Sequence, residues 1–209
     1  MNKLEKYILE HIDSEDDVLE ELNRETHLKV LGTRMLSGHL QGQVLTMLSK
    51  MIQPDNILEI GTFTGYSAIC LAKGLRVNGK LVTIEIDDEF ESIARKYFAK
   101  SEFGPVITLL IGSAQKIIPS LKIIFDLVFI DGNKREYLIY YNLVFDKLKR
   151  GGFIIVDNTL WNGKIIDNTC SNDSQTAGIM EFNSYIKNDN RVEKVILNIR
   201  DGITIIRKK

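Results

Sequence analysis

From Asn56 onward the chain alternates short, nearly continuous apolar runs with helix-patterned stretches, and this alternation restricts the fold more than any other feature. The runs are NILEI (56–60), KLVTIEI (80–86), VITLLI (106–111), FDLVFI (125–130) and GFIIV (152–156). Between them the patterning predicts helices near 65–75, 88–100, 113–121 and 134–149. Strands apolar on both faces belong to a parallel sheet covered by helices on each side. After a helix expected at 175–188, VEKVILNI and GITIIRK flank Arg200-Asp201-Gly202, a turn signal for an antiparallel hairpin. Residues 1 to about 50 keep helical spacing at Leu4, Ile8 and Ile12, at Val18 and Leu22, and at Val44, Leu45 and Leu48. The expectation is one α/β domain over 1–209, with a helical cap at 1–52 and a doubly wound core at 53–209. Its sheet has seven strands, mostly parallel, and ends in the antiparallel hairpin.

Composition narrows the function classes. A chain of 209 residues, 44% hydrophobic and 26% charged, can bury a substantial core. Lys and Arg total 27 against 28 for Asp and Glu, so no net charge draws the protein to nucleic acid or anionic membrane. No apolar run approaches the ~20 residues that span a bilayer. The start MNKLEKYILEHIDSEDD lacks an apolar signal core, so a cytoplasmic location is expected. Cys70 and Cys170 form no disulfide framework, and His11, His27 and His39 all lie in the amino-terminal third, away from any zinc-like cluster.

The segment after the first run, Glu59-Ile60-Gly61-Thr62-Phe63-Thr64-Gly65-Tyr66-Ser67, carries two glycines that permit a sharp turn and close approach to a ligand. The helix that follows offers free amides at its start. A dinucleotide fold places G-x-G-x-x-G here for a pyrophosphate. This chain has Gly-x-x-x-Gly and, two residues upstream of Gly61, the carboxylate of Glu59. That acid repels a pyrophosphate and suits a cationic ligand; the competing reading is a plain strand–helix turn with a solvated acid. Glu85 lies near the end of the second run, 24 positions beyond Gly61, where nucleotide folds set an acid on the ribose. Glycine loop and acid together fit a nucleoside without a pyrophosphate, such as S-adenosylmethionine.

Asp131 closes the fourth run, and Asp157-Asn158 closes the fifth. In a sheet of order 3-2-1-4-5 these strands are neighbours about 5 Å apart, so three oxygen-bearing side chains reach one crevice. Two carboxylates forced together repel unless a cation joins them. Oxygen-only ligation suits Mg²⁺, or Mn²⁺ and Ca²⁺ less selectively. Taken singly, Asp131 could instead cap a helix and Asp157-Asn158 could form a turn.

LEIGTFTGYSA, TIEID, FDLVFIDGNKREY, GGFIIVDNTLWNG and the terminal DGITIIRK resemble the cation-dependent O-methyltransferases of the caffeoyl-CoA type and, more distantly, catechol O-methyltransferase. The likeness runs from about residue 30 to the end. It implies a Rossmann-like class I methyltransferase fold. By position, Asp131, Asp157 and Asn158 match the family's metal ligands. Glu59, Gly61, Tyr66 and Ser67 match the methionine side of the cofactor pocket, Glu85 the ribose contact and Ala114 the adenine contact; Asp131 also borders the cofactor. Met35 and Ser37 fall where an upstream helix junction closes over the cofactor, ahead of Gly42-Gln43. Lys134 matches the lysine regarded as general base in the catechol enzymes. The chain departs from many relatives at Asn133, where they carry a second aspartate.

The resemblance implies that a metal-bound acceptor hydroxyl attacks the sulfonium methyl in line, with a homodimer as the assembly. Lys134 is either the base or a solvated lysine of a first helical turn. Trp161 either walls the acceptor pocket or packs as a partly buried ring. The expected acceptor is a vicinal-diol, catechol-like or hydroxycinnamoyl small molecule. Rival readings are a tRNA 5-hydroxyuridine O-methyltransferase, an NAD-binding oxidoreductase, and a binding module without turnover.

Overall fold

The computed structural model describes residues 3–166 and 173–209. The amino-terminal stretch forms three helices, α1 (Lys3–Glu10), α2 (Asp17–Lys29) and α3 (Gly38–Ile52). Asp16 starts α2 by accepting the Leu19 amide at 2.9 Å. Five strand–helix units follow: β1 (Asn56–Ile60), α4 (Tyr66–Ala72), β2 (Lys80–Glu85), α5 (Glu91–Lys100), β3 (Ile107–Ile111), α6 (Ala114–Ser120), β4 (Phe125–Ile130), α7 (Tyr137–Phe145), β5 (Leu148–Val156) and α8 (Ser174–Asn188). The hairpin β6 (Val192–Leu197) and β7 (Ile203–Lys208) ends the chain.

The sheet runs β3-β2-β1-β4-β5-β7-β6. The first five strands are parallel, while β7 joins β5 and β6 antiparallel. The expected seven-stranded architecture is therefore observed. Successive strand residues alternate between two cores. Ile57, Leu81, Leu127 and Phe129 meet α2 to α5, whereas Leu58, Ile84, Val128 and Ile130 meet α6 to α8. Glu59 falls on the first of these faces, a carboxylate paired across the sheet with Thr83.

Three boundaries stand out against expectation. Helix α7 ends at Phe145 rather than near 149, because Leu148 already pairs with Phe125 in the sheet. Gly151, at φ +75°, lies in the stretch where the pairing register of β4 and β5 shifts, so β5 begins before the glycine pair that marked its expected start. Helix α4 stops at Ala72; Gly74 follows, pressed so close to α3 that a Cβ there would lie 2.2 Å from the Ser49 carbonyl carbon. Cys70 is buried in α4 with its thiol unbridged, and Cys170 lies outside the described residues. Among the described residues no helix is long and apolar enough to cross a membrane.

Candidate active site

All five parallel strands point their carboxyl ends toward one edge, and the loops there build the site. After β1 the backbone takes left-handed conformations at Gly61 (φ +97°), Phe63 (φ +51°) and Gly65 (φ +96°). No side chain fits at Gly65, where a Cβ would lie 2.6 Å from the Phe98 ring. Glu59, just upstream, is fully buried. Its Oε2 accepts the Thr83 hydroxyl at 2.5 Å, and Oε1 has no hydrogen-bond partner. Burial pushes the Glu59 carboxyl up to about 8, against the pull of the Thr83 and Ser67 hydroxyls.

Glu85 closes β2 and holds the glycine loop from the other side. Its Oε2 accepts the Phe63 amide at 2.7 Å, and its Oε1 accepts the amides of Ile86 and Asp87 at 2.8 and 3.0 Å. The Gly112 amide donates to the Glu85 carbonyl at 2.7 Å, which brings the start of α6, including buried Ala114, alongside. Glu59, Gly61, Ser67, Glu85 and Ala114 therefore gather around one loop cluster.

Tyr66 is placed differently. Its ring turns into the helical layer, where a Cβ on Gly42 would lie 2.7 Å from it, and its hydroxyl donates to Glu15. Met35 ends a short 3₁₀ turn at Thr33–Met35 and is 53% exposed, while Ser37 next to it is buried.

The acidic cluster sits at the ends of β4 and β5. Ile130 pairs with Val156, and the Asp157 amide donates to the Ile130 carbonyl at 3.1 Å, so Asp131 and Asp157 leave the sheet side by side. Asp157 is buried; its Oδ2 accepts Nε2 of Gln41 at 2.7 Å and its Oδ1 accepts the Asn158 amide at 2.8 Å. The fully buried Tyr137 fixes the Asp157 backbone by donating to its carbonyl at 3.1 Å. Burial first, and the charge of Asp131 second, push the Asp157 carboxyl above the usual aspartate range. Lys134 Nζ pairs with Asp131 Oδ1 at 2.7 Å and lies 5.1 Å from the Tyr137 ring centroid. Asn133 caps the turn before α7 by accepting the Arg135 amide at 3.3 Å.

Asn158 takes a left-handed backbone, φ +56°, as do Trp161 and Asn162 further along the same loop. Trp161 is partly buried against the α6–α8 core. The loop is tied down from the β6–β7 turn: the Thr159 amide donates to the Gly202 carbonyl, and the Leu160 and Trp161 amides donate to the Asp201 carbonyl. Sequence reasoning passed over Gln41, Thr83 and Arg200, which hold these acids in place. A glutamine one residue before Gly42, or a threonine inside an apolar strand, carries no local signal of such a role.

The family model described as O-methyltransferase matches residues 9–209. A caffeoyl-CoA O-methyltransferase of Petroselinum crispum is 32% identical over 98% of this chain and 90% of its own length. A catechol O-methyltransferase of Niastella koreensis is 31% identical over 94% of this chain and 90% of its own length. The O-methyltransferase TomG of Streptomyces achromogenes, solved in complex with SAM, superposes with a TM-score of 0.92 at 27% identity, covering 100% of this chain and 96% of TomG. With strands, glycine loop and paired acids in the order described, this chain belongs to the O-methyltransferase family.

Proposed function

We propose that the chain transfers the methyl group of S-adenosylmethionine to a small acceptor bearing two neighbouring oxygens, a catechol or hydroxycinnamoyl compound, in a reaction that depends on a divalent cation. One observation carries this reading: Asp131 and Asp157 emerge from adjacent parallel strands beside the Gly61 loop, with Asp157 buried and disfavoured as a lone charge. Two carboxylates and the side-chain carbonyl of Asn158 make an all-oxygen donor set that fits Mg²⁺ or Mn²⁺, and Ca²⁺ less selectively. Among the described residues no group of three or more His, Cys, Asp or Glu is placed to hold a metal ion. When bound, the cation supplies Lewis-acid activation of a hydroxyl and a template for its neighbour.

The methyl donor supplies an electrophilic carbon on a sulfonium. Toward it, Glu59 presents a buried carboxylate oxygen without a protein partner, matched to a cationic ammonium or sulfonium end. Gly61 lets the backbone approach without a side chain, and Glu85 stands at the end of β2 with one spare lone pair, on Oε2, for a ribose hydroxyl. Lys134 Nζ, held at Asp131 beside the two acids, is the candidate acceptor of the hydroxyl proton. Fixed geometry contributes the rest of the rate. Trp161 walls the acceptor side. Exposed Leu4, Tyr7, Leu28, Met47 and Met51 give the amino-terminal helices an apolar surface for a homodimer.

The test is a radiolabelled-methyl assay across catechols, hydroxycinnamoyl thioesters and hydroxylated tRNA, with Mg²⁺ or with chelator. Transfer to the small diols that stops with chelator is expected. Faster transfer to tRNA, or indifference to chelator, overturns this reading.

A further inference from the structure

Beyond the acids themselves, a three-residue chain ties distant parts of the sequence to one carboxylate. Gln41 lies in the first turn of α3, is 1% exposed, and spans 116 positions of sequence to donate from Nε2 to Asp157 Oδ2 at 2.7 Å. Its Oε1 accepts from Arg200 Nη1 at 2.8 Å. The same Nη1 reaches the carbonyls of Leu36, at 3.2 Å, and Ser37. Arg200 occupies the β6–β7 turn at φ +48°, beside the Asp201 and Gly202 carbonyls that tie down the loop after Asp157.

We propose that Gln41 is a positioning residue for Asp157, with its amide oriented by Arg200; the inference rests on the cation-dependent reading above. A primary amide can present either its N–H or its C=O to a neighbour. A guanidinium only donates, so Arg200 claims the Gln41 oxygen and leaves the N–H for Asp157. Turned the other way, the amide would set a carbonyl oxygen against a buried carboxylate, leaving that acid short of a donor. Held as observed, Asp157 has one donor on each oxygen, from Gln41 and from the Asn158 amide, and each oxygen keeps a second lone pair for a cation. Hydrogen bonds of this kind fix the rotamer of a ligating carboxylate, and their loss weakens metal binding by about 10- to 100-fold.

The test uses the full chain, with Mn²⁺ binding followed by titration calorimetry in the absence of methyl donor, and S-adenosylhomocysteine binding measured separately. In Gln41→Met, a change of similar length that keeps the helix, Mn²⁺ should bind about 10- to 100-fold more weakly while S-adenosylhomocysteine binds as in the unaltered protein. A purely structural role for Gln41 would move both affinities together. Arg200→Met frees the amide to turn and should weaken Mn²⁺ in the same direction, with Arg200→Lys restoring part of it. Mn²⁺ affinity unchanged in Gln41→Met overturns the proposal alone. If Gln41→Met does not fold, the Arg200 pair decides: partial rescue by lysine supports the proposal, and unchanged affinity in both variants overturns it. An unaltered protein that binds no divalent cation overturns this proposal and the cation-dependent reading together.

Discussion

The α carbon of Gly61 rests against the backbone of Asp131: a Cβ at Gly61 would lie 2.5 Å from the Asp131 carbonyl oxygen and 2.8 Å from its carbonyl carbon. One contact thus sets the distance between the glycine loop and the acid at the end of β4. The Asp131 amide, donating to the Ile60 carbonyl at 2.8 Å, closes the same junction. Gly61→Ala forces a side chain onto backbone at φ +97°, which by itself costs about 1–3 kcal/mol. Because the two halves of the site must then part, turnover should fall by about 100-fold. Thermal melts and methyl-transfer kinetics check this; an alanine variant with the stability and rate of the original would show that the contact sets nothing.

Glu59 makes a pH prediction. Burial raises its carboxyl from an ordinary 4.5 to about 8, so the ligand-free fold favours the neutral acid. The contribution is fully present below 4.5 and is lost as pH climbs through about 8. Ligand-free thermal stability should therefore decline across that window, and Glu59→Gln should flatten the decline. Binding of a cationic methyl donor should draw a proton from Glu59 at neutral pH. Calorimetry in buffers of different ionisation enthalpy reads that release, and an enthalpy independent of buffer would exclude it.

Lys134 separates charge from proton transfer. Lys134→Arg keeps a cation beside Asp131 but does not accept a proton at neutral pH. It should lower kcat by about 100-fold or more with little change in KM for the methyl donor. A kcat within twofold of the original would leave the lysine as an ion-pair partner of Asp131 and nothing more.

At Asp157, burial and the charge of Asp131 both disfavour the ionised form. Asp157→Asn relieves that charge but sets its NH2 against the donor of Gln41 or of Asn158, so ligand-free stability should fall while methyl transfer drops to background. Cation affinity of the unaltered protein should strengthen as pH rises, because the ion binds the deprotonated acid. Urea melts and a Mn²⁺ titration over pH check both; full activity in Asp157→Asn would remove this acid from the mechanism.

How far the sequence reached differs from residue to residue. Glu59, Glu85, Asp131 and Asp157 were legible because each is a charge ending or interrupting an apolar strand, an arrangement that is costly unless something uses it. Tyr66 stands in the glycine motif, and its ring turns to Gly42 and Glu15 in the helical layer. The close approach of α3 and α4 at Gly42 and Gly74 draws it there, and nothing local to the motif specifies that packing. The end of α7 was misplaced because Leu148 fits a helical pattern as well as a strand. Pairing with Phe125 decides between them.

The sequence by itself determined the order of strands and helices, the glycine loop and the candidate acids, since periodicity and strand-end charge are local properties of the chain. Tertiary structure alone decided that Gln41, from the first turn of α3, meets Asp157, and that Arg200, from the last turn, holds that glutamine in orientation. Such hydrogen bonds form between residues whose separation along the chain has no bearing on their separation in space. They exist only once the sheet order has brought α3, the end of β5 and the β6–β7 turn to the same edge.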